Sequence, residues 1–525
     1  TKYERKFNSE NAAVVDQEHL GGVIGQCEGS IVDCTNRGTV DQASDPRTVN
    51  AGGICGFVRN AAESLSGNAN EGEVRIGGAV TLATVGGVYG SFGKAQTVAD
   101  AATTNRGGVT VSGIESIEGA YLRLGGIVGF AYPGTVLSNL TNAGDMTVDL
   151  QSKFSYYAVG GIAGSVECGA SSCVNEGSLR LNNNQLLTKG MCKIFVGGIV
   201  GINYRPTDDG PHIYEDCANR AEIGFATTDN AFKVLPSFTG GILGYTEHPV
   251  EVRNCEGAAY INVNNANAKE NGIFTATGGI VGAVKGTAAL IEKCHVTADV
   301  RHYQYNNTWD DPLSAANGGG IVGCALGADE ANRIAITGCS CSGMVESKRS
   351  GAAGIVGYAR FSDISDCGFT GGIEGSGPHF AGGIAGTLAN STIAGCTVKA
   401  KNIYGHNASS PSLIGVSGIA AYVVGVSSVS DCKAYATLIR NSTVLGTEDA
   451  SVTPDNLFGM GMIVGIDAGT TTVTNCGVGG SFYLGASEKP QELILTLDAD
   501  SYAKGIIGSG KTATVGGCYY WNGEE

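Results

Sequence analysis

Basic side chains are scarce in this chain. Lys and Arg together number 33 against 49 Asp and Glu, leaving a formal net charge of −16. That balance repels nucleic acid and anionic membrane surfaces. No apolar run approaches the length of a membrane span. Histidine occurs only seven times and no Cys-x-x-Cys pair exists, so no metal centre is expected. His-Glu-x-x-His and Gly-x-Ser-x-Gly are absent as well, which removes the usual zinc-peptidase and nucleophile-elbow readings. No helical period survives across the chain, and strict Gly-X-Y periodicity is missing, which excludes collagen. The sequence starts at Thr1 without Met or a signal-like apolar segment, as expected of an excised mature region whose address has been removed.

What is present is glycine, 83 residues of it, arranged in a repeat. Gly125-Gly126-Ile127-Val128-Gly129 returns as Gly160-Gly161-Ile162-Ala163-Gly164 and as Gly197-Gly198-Ile199-Val200-Gly201. Further copies start at Gly240, Gly278, Gly319 and Gly382, with looser ones at Gly21, Gly52, Gly86, Ala353, Ser417, Gly461 and Lys504. These fourteen starts lie about 37 residues apart on average, within the range of repeat architectures. A β-branched centre between turn residues reads as a strand entered and left by bends. With no hairpin signal between strands, each unit suits one coil that lays its strands beside those of the next. The expected fold is all-β, a right-handed parallel β-helix (β-solenoid) of about fourteen coils. Residues 1–20 form a polar cap or linker remnant, and 21–525 form one repeat domain whose cross-section changes near residue 240. A β-propeller is the rival, disfavoured because no four-strand hairpin pattern appears.

Cysteine and asparagine recur in step with the glycines. Seventeen cysteines are too many by one to pair completely within the chain. Eleven of them, from Cys34 to Cys518, fall once per unit, as expected of a ladder of buried free thiols rather than a disulfide framework. The residue before each, such as Asp33, Asp216 or Asp366, reads as part of a solvated outer face. In the first six units an Asn follows: Asn36, Asn70, Asn105, Asn142, Asn175 and Asn219. Stacked Asn side chains bond along a stacking axis, so these are expected to form a ladder at a corner. From Gly240 onward the position becomes mostly apolar, as at Val296, Phe369 and Val398, and reads as inward-facing.

Two matches to nucleotide motifs mislead. Gly505 to Thr512 fits the P-loop pattern and Gly318 to Gly323 the dinucleotide fingerprint, but no helix is predicted after either to hold phosphate at its N-terminus.

Gly-Gly-[Ile/Val]-x-Gly followed by an apolar run, Cys and Asn-x-Gly resembles the GLUG-type repeat of bacterial cell-surface β-helix proteins of adhesin type, over residues 21 to 520. The resemblance implies an exported protein at the cell surface or outside the cell, often anchored as a lipoprotein through a segment not included here. It carries over no catalytic residue and no cofactor. The absence of the Asn in the second half departs from the pattern.

The surplus residues between units mark candidate sites, since loops on a rigid scaffold usually carry function. One insert gathers Tyr303, Tyr305, Asn306, Trp309 and Asp310, aromatic faces and polar groups that suit a sugar ring. A second gathers Tyr204, Asp208, Asp209 and His212, suited to sugar or calcium. The expected function is non-catalytic: a monomeric surface protein that binds a host or matrix glycan or protein, with no nucleic acid and no membrane span. A polysaccharide-active enzyme (lyase or glycoside hydrolase-like) on the same scaffold is the alternative, although no paired carboxylates are visible.

Overall fold

The computed structural model describes residues 17–42, 48–149, 154–183, 193–203, 210–227, 237–265, 275–304, 316–348, 351–374, 380–407, 414–442, 453, 457, 459–486, 489–510 and 513–524. Two compact units divide the chain, Thr1–Ala268 and Lys269–Glu525. Each is a parallel β-helix of seven coils. Among the described residues there is no α-helix, and a single 3-10 turn occurs at Tyr502–Gly505.

A coil passes through five short strands. The coil that opens at Lys193 runs Lys193–Gly197, Val200–Asn203, His212–Glu215, Ala218–Asn219 and Ile223–Thr227. Within each unit nearly all strands pair in parallel with their counterparts one coil on. In the first unit Gly160 pairs with Gly197 and Gly197 with Gly240, so the glycine motifs stack in register. In the second unit Val322, Val356, Ala385, Ala420, Val464 and Ile507 form the same kind of column. One antiparallel strand, Lys489–Thr496, folds back on Gly477–Ala486.

The glycine motif makes a corner, one step different from the strand expected of it. The bend falls on the second glycine and the isoleucine, and the strand begins at the residue after, as in Val128–Ala131. Space explains all three glycines. A Cβ on Gly125 would lie 1.9 Å from the Val128 carbonyl oxygen, inside the bend. On Gly126 it would lie 2.1 Å from the Gly161 carbonyl of the next coil and 2.3 Å from the Asn142 side chain. On Gly129 it would strike backbone of neighbouring coils, 2.6 Å from the Gly90 oxygen and from the Val85 nitrogen. Ile127 fills the inside of the corner and is fully buried.

The asparagines form the expected ladder. Asn36 Nδ2 donates to Asn70 Oδ1 at 2.9 Å, and the chain of bonds continues through Asn105, Asn142 and Asn175 to Asn219 at 2.8–2.9 Å. The second hydrogen of each Nδ2 goes to the carbonyl two residues on, such as Gly107 or Gly177. Every rung is buried, so a polar row inside the wall is stable because both its donors and its acceptors are used. In the second unit Val296, Cys341, Phe369 and Val398 are buried at the equivalent corner, and each packs against the second glycine of its coil. The side chain changed its chemistry while the glycine beneath it stayed.

A second corner precedes each once-per-coil cysteine, or the residue in its place such as Asn68 or Leu140. Asp33, Asn139, Ser172, Asp216, Asn254, Lys293, Asp366, Asp431 and Asn475 have φ between 50° and 57°, and Gly67, Gly338, Gly395 and Gly517 take the position with φ of 61–66°. These residues turn the chain through left-handed backbone geometry, which Asp, Asn and Gly adopt most readily. They are pivots rather than simply a solvated face. The next side chain points inward. From Cys173 to Cys476 the nine repeat thiols bond to the carbonyl two residues back, at 3.1–3.5 Å, across the bend.

Sixteen cysteines are described; all are free, and only Cys34 and Cys518 are partly exposed. Burial pushes the Cys55, Cys168 and Cys341 thiols up to about 12, well away from the reactive thiolate. Native protein treated with iodoacetamide is therefore expected to carry label at Cys34 and Cys518 before any other described cysteine. After denaturation without reductant all sixteen should react. Peptide mass spectrometry distinguishes this from a disulfide-bonded chain, in which most would stay protected after denaturation.

Outside the asparagine corner, two groups of three charges alternate in sign from coil to coil, separated by Ala143. Glu71 lies 2.9 Å from Arg37 on one side and 3.9 Å from Arg106 on the other. Farther along, Arg220 stands between Glu176 at 3.9 Å and Glu256 at 4.0 Å.

The layer between the fifth and first strands differs between the units. In the first it is mainly apolar, built from Val74, Ile76, Val109, Leu122, Leu124, Met146 and their neighbours, with Gln42 in its first coil and Ser237 and Thr239 in its last as buried polar residues. In the second, Thr275, Thr277, His302 and Ser347 are buried there, and His302 Nδ1 shares a hydrogen bond of 2.7 Å with Thr277 Oγ1.

Candidate functional site

Of the first candidate set, Tyr303 is described; Tyr305, Asn306, Trp309 and Asp310 lie outside the described residues. Tyr303 sits on the strand Val300–Gln304, which pairs with Val345–Lys348. Its hydroxyl donates to Glu346 at 2.8 Å, and Arg301 Nε donates to the same carboxylate oxygen at 2.7 Å. The Arg301 guanidinium also covers the Tyr303 ring at 5.0 Å. Burial works to raise the Glu346 carboxyl, but the Arg301 and Tyr303 hydrogen bonds hold it below its ordinary value. This cluster ties Tyr303 to the wall of the next coil, so its ring is positioned by the scaffold.

From the second set, Tyr204, Asp208 and Asp209 lie outside the described residues, and His212 opens the strand His212–Glu215. Here the coil brings together residues that are far apart in sequence. Asn203, at the end of its strand, pairs in register with Thr246. Thr246 Oγ1 accepts the His248 N–H at 2.9 Å and donates to the His248 carbonyl at 3.0 Å, a tight bend that turns the imidazole inward. Pro249 follows and favours extended backbone at His248. The His212 and His248 rings lie against each other in a tilted arrangement, with centroids 4.1 Å apart and an angle of 44° between planes. His212 Nδ1 is 3.0 Å from Asn203 Oδ1, and His248 Nε2 is 3.0 Å from the Gly210 carbonyl. The Gly210 carbonyl can only accept, so His248 Nε2 carries the proton, whereas the Asn203 amide can present either its oxygen or its nitrogen to His212 Nδ1.

Sequence reasoning named His212 but not its companions. His248 lies 36 positions later and Asn203 nine earlier, and the one usable signal was their distance from the glycine pairs at Gly197 and Gly240. Counted that way, Asn203 and Thr246 are both six residues on from their motif's start.

Beside His212 lies an open groove of about 330 Å³ across three coils, lined by Gly134–Leu137, Glu167–Ser171 and Pro211–Ile213. It exists because Gly169 offers no side chain between the exposed Val136 and Ile213.

The two nucleotide-like motifs behave as repeats. Ile507–Ser509 is a strand stacked on Val464–Asp467, and Val322–Leu326 is the strand after its corner, so neither is followed by a helix. Among the described residues no three His, Cys, Asp or Glu side chains group as a metal centre, and no helix is long and apolar enough to cross a membrane.

No family model, no curated protein and no solved structure matches the chain.

Proposed function

We propose that this protein is a non-catalytic bacterial surface protein, an exported β-helical scaffold that presents its inserts to a host or matrix glycan or protein. The observation that carries this reading is the stacking of the insert roots. In the first unit the strands ending at Asn183 and Thr227 pair with each other, and those beginning at Lys193 and Ser237 do the same. In the second unit the strands ending at Gln304 and Lys348, and those beginning at Ala316 and Gly351, repeat the arrangement. Within a unit the inserts between these strands therefore leave from one edge, about 4.8 Å apart per coil. A row of variable segments on a stiff, repetitive wall suits recognition of an extended partner. The GLUG-type resemblance supports the cell-surface and adhesin parts of the reading.

The test is a glycan and matrix-protein array on the purified chain, followed by replacement of residues 305–315 with a short Gly-Ser linker. A ligand whose affinity falls at least tenfold, with the melting temperature unchanged, supports the proposal. Catalytic turnover of an arrayed polysaccharide, or a ligand indifferent to replacement of every insert, overturns it.

A further inference from the structure

We propose that the first unit binds a glycan ending in a carboxylated sugar, with Arg123 receiving the carboxylate and Tyr121 carrying the face of the ring. This rests on the reading above in taking the ligand to be a glycan; it adds the chemistry of that glycan and a place for it on the wall.

Shape is the first support. Arg123 lies on the strand before a glycine corner, Val109–Gly125, and Phe130 on the strand after it, Val128–Ala131. Leu122 and Leu124, on either side of Arg123, point into the core, so Arg123 points out. Its guanidinium nevertheless covers the Phe130 ring at 4.5 Å. Outer faces that touch across a bend enclose a re-entrant angle. Farther along the unit Phe195 and Tyr245 meet across the same angle at 5.2 Å and, with Phe238, fill it. At Arg123 the angle is half open: Arg123, Phe130 and Tyr156 are half-buried, and Tyr121 is 40% exposed.

Charge is the second support. Arg123 Nε donates to the Tyr156 hydroxyl at 2.9 Å, and no carboxylate among the described residues pairs with it. Arg37, Arg59, Arg106 and Arg220 each have one. The positions beside Tyr121 and Arg123 in the adjoining coils are Leu82, Thr84, Tyr156 and Ala158, and Lys193 follows Tyr156. The patch is therefore positive on a chain of net charge −16. Held by Tyr156 through Nε and by the Phe130 ring against its plane, the guanidinium keeps its two terminal nitrogens for a ligand. Their parallel N–H groups match the two oxygens of a carboxylate, and a side chain already fixed loses little freedom on binding.

The class of ligand follows from Tyr121. It stands two residues from Arg123 on the same face, about 7 Å away along the strand, and packs its ring against Tyr156 at 5.0 Å. A sugar that carries its own carboxylate engages both, with its ring on the Tyr121 face and its acid on Arg123. An aspartate or glutamate of a partner protein would use the guanidinium and leave the ring bare. A polymer with an acid on every sugar is repelled by the net charge of the chain, which favours a single acidic sugar at a glycan end.

The test is calorimetric titration of the full chain with sialyllactose and with a glucuronic acid-terminated disaccharide, against lactose and the methyl esters of both acids. Saturable binding of at least one acidic saccharide is expected, weakened at least tenfold by esterification and by Arg123→Gln. Arg123→Lys, which keeps the charge and loses the fork, should weaken it to a lesser degree. Tyr121→Ala should weaken it severalfold, and Arg37→Gln, at an exposed arginine paired with Glu71, should leave it unchanged. Should Arg123→Gln fail to fold, the methyl esters decide, because they leave the protein intact. No saturable binding of either acid, equal binding of an ester or of lactose, or indifference to Arg123→Gln overturns the proposal. So does equal affinity for a Glu-rich peptide, which would assign the arginine to a protein partner. A neutral glycan whose binding needs residues 305–315 but not Arg123, with neither acid bound, would overturn it and leave the reading above intact.

Discussion

Gly126→Ala is expected to destabilise the first unit by at least about 3 kcal/mol, at or beyond the upper end of ordinary overpacking. The added methyl would lie 2.1 Å from the Gly161 carbonyl and 2.3 Å from the buried Asn142 side chain. Neither can retreat. The carbonyl belongs to the next coil, and Gly161 N–H itself donates to the Gly197 carbonyl of the coil beyond. Asn142 is held by Asn105 on one side and Asn175 on the other. Relief would require parting two coils. Gly29→Ala is the control: nothing lies within 4 Å of its Cβ position, so a change within about 0.5 kcal/mol is expected. Urea denaturation followed by far-ultraviolet circular dichroism measures both. Equal effects would show that glycine is not required for space.

The second large effect concerns acid. His302 is fully buried in the second unit, and burial depresses its pKa from the ordinary 6.5 to about 3. Above pH 6.5 the imidazole is neutral in both folded and unfolded chains and contributes no pH dependence. As pH falls below 6.5 the unfolded chain takes up a proton that the folded chain refuses, so stability is lost at up to about 1.4 kcal/mol per pH unit. The loss continues down to about pH 3, where the folded imidazole also titrates. At pH 5 it amounts to about 2 kcal/mol from this residue alone. His302→Val, which restores the apolar residue type of this layer in the first unit, should flatten the slope between pH 6.5 and 4. Unfolding midpoints at several pH values decide it; a parallel slope in the variant would mean that other groups dominate.

The architecture was legible in the sequence because the motif is made of spatial necessity. Gly-Gly-x-x-Gly marks where backbone meets backbone, and most coils keep glycine there, with Ala353, Ser417, Ala421 and Met462 among the departures, so the period is written largely in one residue. The Asn ladder was legible for a related reason, since an internal amide row is satisfied only when every rung is present. The left-handed pivots were less so. Asp33, Ser172 and Lys293 differ in chemistry and share only backbone geometry, which the prevalence of Asp, Asn and Gly at that position could have signalled. The cluster at His212 was hidden more deeply. A spacing of 36 between two histidines carries no local signature, and only the register of adjacent coils makes them neighbours.

The alternating charges outside the asparagine corner bear on assembly during folding. Coils this alike could stack out of step, with one looped out and its neighbours joined. Such an error would set Arg37 against Arg106, and Glu176 against Glu256, in place of the opposite charges that now separate them. Each exposed pair is worth only a few tenths of a kcal/mol to the finished fold. Its larger effect is to penalise the skipped arrangement, in which attraction becomes repulsion. Within each of these two triplets the charges thus mark the register, so that a coil accepts its immediate successor and rejects the one after; Ala143, which separates the triplets, leaves that step unmarked.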